Sequence, residues 1–120
     1  MEEFQVIVTK GEYEPWWFFE EWQKDIESIF TYTEKEEALA KYQTLAEKLR
    51  DIYPHSAVKK SVLLATWSED ETQYCEECED DIQTFHGLIL FQNGAVYEPT
   101  ADEQAMYFSF AEELDMSKDA

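Results

Sequence analysis

Residues 15–22 read Pro-Trp-Trp-Phe-Phe-Glu-Glu-Trp, which places five aromatic side chains within seven residues and gathers three of the four tryptophans. Rings of this size are either buried in a core or covered by a partner, because a dense aromatic patch left in water marks an interface. Pro15 suits the first turn of a helix, where its missing N–H is no loss, and Glu20 and Glu21 are tolerated near the positive end of the helix dipole. A helix from Pro15 to about Asp25 buries only one side. Its spacing sends Phe19 and Trp22 to the core and leaves Trp16, Trp17 and Phe18 as candidates for a binding surface. A groove of Trp and Tyr rimmed by carboxylates suits a basic or aromatic peptide, partly through cation–π contacts.

The rest of the chain must supply the body on which this block sits. At 120 residues it has the length of one domain, spanning residues 1–120. The hydrophobic fraction of 44% is too high for a disordered acidic segment, so the net charge of -19 belongs to a folded surface. That charge is uneven. The first sixty residues carry thirteen acids and eight bases, whereas residues 61–117 carry fourteen acids and no Lys or Arg. Such a surface disfavours phosphate backbones and anionic lipid and favours protein partners, especially basic ones. Direct nucleic-acid binding and membrane association are not expected. Met1-Glu2-Glu3-Phe4 lacks the basic segment and apolar run of a signal peptide, so the expected location is the cytoplasm.

In chain order, Phe4 to Thr9 reads as a strand with Phe4, Val6 and Val8 turned to the core. Ser28 to Tyr32, rich in β-branched and aromatic residues, reads as a second strand. Thr33 with Glu36 three residues on resembles a capping box, and Ala38, Leu39, Tyr42, Leu45, Ala46, Leu49 and Ile52 then recur at helical spacing until Pro54. Ser61 to Trp67 and Phe85 to Gln92 are apolar on both faces and read as interior strands. Asn93-Gly94 signals a hairpin returning through Ala95 to Tyr97. Thr100 and Glu103 repeat the capping pattern before a last helix to about Leu114, and residues 115–120 are expected to fray. The pattern predicts an α+β fold: a mainly antiparallel sheet of about four or five strands with two or three helices packed on it.

The acidic stretch 68–82 reads as an exposed loop, and within it lies the only motif with an obvious chemical meaning, Cys75-Glu76-Glu77-Cys78. As a redox pair it is poorly placed, since the surrounding carboxylates oppose thiolate formation. As half a zinc site it has the right spacing, with His86 and His55 as the only imidazoles able to complete it. One such pair without a second is a weak signal, and two free thiols in a loop are the commoner outcome. Zinc, or less readily thiol redox chemistry, centred on Cys75 and Cys78 is the alternative to an interaction module. Catalytic residues are not expected: there are only three glycines, no phosphate-cradling loop, and no pair of carboxylates that stands out among 28 acids.

The run Gly11 to Glu20, with Tyr74-Cys75-Glu76-Glu77-Cys78 and Phe85-His86-Gly87-Leu88, resembles a family of small proteins of low-GC Gram-positive bacteria known as domain of unknown function 1033. The resemblance covers nearly the whole chain. It implies a stand-alone cytosolic α/β-containing domain and brings no activity, cofactor or site residue with it.

Overall fold

The structure is a computed structural model that describes residues 2–18, 20–76 and 79–110. Its centre is an antiparallel sheet built from β1 (Phe4–Gly11), β2 (Ile26–Tyr32), β3 (His55–Lys59), β4 (Leu63–Trp67), β7 (Phe85–Gln92) and β8 (Ala95–Val96). The strand order is β2-β1-β7-β4-β3, with β8 pairing the end of β7 and with β2 and β3 at the two edges. The fold is α+β, as the pattern predicts. A separate pair, β5 (Thr72–Cys75) and β6 (Asp80–Gln83), makes an antiparallel hairpin out of the stretch expected to be a loop.

Register decides which residues share a face, because successive side chains of a strand point to opposite sides. Phe4, Val6 and Val8 of β1 align with Gln92, Leu90 and Leu88 of β7, and Leu88 with Leu64 of β4 and through it Val58 of β3. This face is covered by α1 (Lys35–Ile52), whose Ala38, Leu39, Tyr42 and Ala46 are fully buried. Tyr42 lies at the middle of the core with its ring edge-on to Phe108, centroids 5.3 Å apart.

The helix ends where Pro54 requires, with Tyr53 N–H still donating to Leu49 O. Its start differs from the expectation: Glu34 is the cap residue and no side chain bonds the first turn, so Thr33 does not cap it. The packing of the apolar face onto β1, β4 and β7 therefore stabilises this helix without a capping box.

The second capping pattern is realised in full. Thr100 Oγ1 accepts from Glu103 N–H at 3.2 Å and Glu103 Oε1 accepts from Thr100 N–H at 3.0 Å, opening α2 (Ala101–Tyr107). The same Oε1 accepts from Tyr97 Oη at 2.5 Å, while Oε2 pairs with Lys35 Nζ at 2.9 Å. One carboxylate thus ties α2 to the sheet and to the start of α1. The remainder of the expected last helix, to Leu114, and the tail 115–120 lie outside the described residues.

Before Asn93-Gly94 the chain is extended, and both turn residues take left-handed conformations, with φ of 51° and 82°. That is the hairpin geometry which joins β7 to β8. The segment His55–Lys59, which carries no clear strand pattern, proves to be edge strand β3.

Burial pushes the Glu103 carboxyl up, but the bonds from Tyr97, Lys35 and Thr100 outweigh it and hold the group below its ordinary 4.5. A lowered carboxyl contributes stability that is complete above the unfolded value and is lost as pH falls through the folded one. Glu103→Gln is therefore expected to cost about 1 kcal/mol at neutral pH, and the gap from wild type should shrink as denaturation is repeated at pH values below 4.5. A gap that stays constant with pH contradicts the assignment.

Candidate functional site

The other sheet face consists of Ile7 and Thr9 of β1, Phe91, Ile89, Gly87 and Phe85 of β7, and Leu63, Ala65 and Trp67 of β4. No helix covers it. Residues 12–18 and 20–25 cross it instead as an irregular strap, in which turns at Pro15 and Trp16 are followed by one short 3-10 turn at Trp22–Asp25. The helix expected from Pro15 does not form. A helix would turn part of its aromatic surface away from the sheet, whereas the extended strap lets Pro15, Trp16, Phe18 and Trp22 all reach it. The strap also explains why Ile7 and Thr9 are as buried as Phe4 and Val6, where a one-sided first strand was expected.

A row of small residues makes room for the strap. Thr9, Gly87, Ala65 and Ala57 lie side by side across four strands. Pro15 settles on Gly87 so closely that a β-carbon there would stand 2.9 Å from Pro15 Cβ and would collide with Thr9 Oγ1. Farther along, Phe18 and Trp22 pack edge to face at 5.1 Å and both rest on Phe91, at 5.9 and 5.8 Å. Trp22 is half-buried against the core, in keeping with its expected role, whereas Phe19 lies outside the described residues.

Of Trp16, Trp17 and Phe18, the residues singled out as binding candidates, the first two share Lys59 as a neighbour and the third packs on Phe91. Trp16 is half-buried, Phe18 is 40% exposed and Trp17 is 54% exposed, with Tyr13 beside them in sequence at 53%. Trp17 is nonetheless held: its backbone N–H donates to Glu14 O at 3.3 Å and its indole Nε1–H to Glu14 Oε2 at 2.8 Å. Lys59, from edge strand β3, sends its ammonium to this corner, 5.3 Å from the Trp16 ring and 5.6 Å from that of Trp17. Lys59 escaped the sequence reading because only the register of β3 brings it under the strap.

Of the residues proposed for zinc, the two histidines are not brought together. Thr66 of β4 pairs with His86 and the next residue, Trp67, pairs with His55, so the two imidazoles lie on opposite faces of the sheet and cannot share an ion. Each has another partner. His86, nearly buried, stacks on Tyr53 at 4.3 Å and its Nε2 lies 2.5 Å from Glu71 Oε1. His55 stacks on Trp67 at 5.6 Å and its Nε2 lies 3.5 Å from Glu69 Oε1. Glu69 and Glu71 stand at the root of the acidic hairpin, which the two histidines therefore grip from the two faces. Gln83 adds amide donations to Ser68 O and Glu71 O at 2.7 and 2.9 Å.

Cys75 ends β5, opposite Asp80, while Cys78 lies outside the described residues. Among the described residues no group of three or more His, Cys, Asp or Glu could hold a metal ion. No helix among them is long and apolar enough to cross a membrane.

The strap geometry gives a direct test. Gly87→Ala is expected to lower stability by about 1–3 kcal/mol in denaturant titration, as overpacking does, and to increase acrylamide quenching of the tryptophans by lifting Pro15. Unchanged stability and quenching would show that the strap is not seated on Gly87.

A family model described as "Protein of unknown function (DUF1033)" matches residues 3–118. Comparison with curated proteins and with solved structures found no match.

Proposed function

The chain belongs to the DUF1033 family, and from that premise we propose that it is a non-catalytic interaction or regulatory module that engages a protein partner through its aromatic strap and acidic surface. The observation that carries this reading is Trp17, a 54% exposed indole whose orientation is nevertheless fixed by two hydrogen bonds to Glu14. Exposed rings held in place lose little freedom on binding, which is why Trp and Tyr dominate the energetics of interfaces. Phe18 and Tyr13 are exposed in the same stretch of chain, which also carries the carboxylates of Glu12, Glu14, Glu20 and Glu21. A partner with an apolar or aromatic anchor and basic flanks complements this arrangement. The cytoplasm, where such contacts form without disulfide support, is the location that fits this proposal.

Wild-type protein and Trp17→Ala should be compared as bait in cell lysate at low and high salt. The expected result is a specific protein that survives high salt on wild type and is lost from the variant. Identical captures by both baits would overturn the assignment of the strap as the interface.

A further inference from the structure

Among the described residues Lys59 is the cation that faces the strap's indoles, a position unusual for a lysine in a chain with 28 acidic residues. Among the described residues no carboxylate lies within salt-bridge distance of it; its neighbours are the Trp16 and Trp17 rings. Two indole faces directed at one ammonium are the elements of an aromatic cation cage. Glu14 strengthens it, because a carboxylate accepting the Trp17 indole N–H raises electron density on that ring and adds negative charge at the rim.

The internal ammonium fills this cage loosely. At 5.3 and 5.6 Å it stands near the outer limit of cation–π attraction, whereas Lys41 approaches the Phe30 ring to 4.3 Å. Lys59 also comes from an edge strand and carries its charge on four flexible methylenes, so it can swing into solvent without disturbing the sheet. Trp17 is open to solvent on its outer side.

Resting on the interaction reading above, we infer that the strap is a cation-recognition site whose internal occupant, Lys59, is displaced by an arginine or lysine side chain of a basic partner. The guanidinium or ammonium of the partner lies on the Trp17 face, Glu14 and its neighbouring carboxylates draw in the flanking positive charge, and the released Lys59 ammonium turns to water. Lys59 thereby sets a threshold: a cation must outcompete it before the cage binds. The strongly negative surface lowers the barrier for basic chains and raises it for acidic ones.

The probe is octa-arginine, with octa-citrulline as the uncharged control, titrated against the full chain and followed by tryptophan fluorescence. Two variants remove the same charge from neighbouring positions, Lys59→Gln inside the cage and Lys60→Gln outside it. If Lys59 occupies the site, Lys59→Gln binds octa-arginine about two- to fivefold more tightly than Lys60→Gln, the range that one exposed cation–π contact provides. Adding Trp17→Ala to Lys59→Gln, which leaves every charge in place, removes that advantage. Circular dichroism on each variant establishes that the sheet is intact.

Equal affinities for the two lysine variants would overturn the inference, as would an advantage that survives loss of Trp17. The wider reading is tested separately: a lysate partner that depends on Trp17 while the two lysine variants bind octa-arginine alike would retain the interface and remove the cage.

Discussion

A sheet with two apolar faces and one long helix is the constraint from which the other features of this molecule follow. Strands β1, β4 and β7 carry large apolar side chains on both sides, and α1 can cover only one of them. Leaving Ile7, Ile89 and Leu63 in water would forfeit about 25 cal/mol for each Å² of apolar surface. The aromatic strap supplies the missing layer with very few residues, because indole and phenyl rings each cover a large area. Its fit depends on Gly87: a flat row of small side chains under Pro15 lets an irregular backbone approach the sheet as closely as a packed helix would.

That solution was only half visible in the amino-acid sequence. The strands Phe4–Gly11, Leu63–Trp67 and Phe85–Gln92, the helix to Ile52, the Asn93-Gly94 turn and the Thr100 capping box are local features, and their residue patterns announce them. The strap is not local. Trp16, Trp17 and Phe18 could be recognised as surplus to one helical face, but the absence of the helix itself follows from what lies beneath them, which is set by pairing between strands some eighty residues apart. Edge strand β3 was hidden for a related reason: His55-Ser56-Ala57-Val58-Lys59 has little alternation, and it enters the sheet because β4 offers it a free edge. Lys59 became visible as part of the site only with that register.

The charges follow a similar logic of local accommodation. Glu103 is drawn in by three donors and fastens α2. Glu69 and Glu71 are gripped by histidines from the two faces, so the acidic hairpin is attached at its root, while its ladder between β5 and β6 is independent of the main sheet. Cys75 sits at the far end of that ladder, opposite Asp80.

The two open edges of the sheet give the strong acidity another meaning. Among the described residues no strand pairs the outer sides of β2 and β3, and such a row of backbone donors and acceptors is the template on which identical chains add to one another. Neither edge is capped by a helix among the described residues, and Ile29 on β2 is exposed. A net charge of -19 makes every copy repel every other, so colloidal repulsion does for this sheet what covering elements do elsewhere. Near pH 4.2 that charge vanishes, and with it the repulsion that keeps these edges apart.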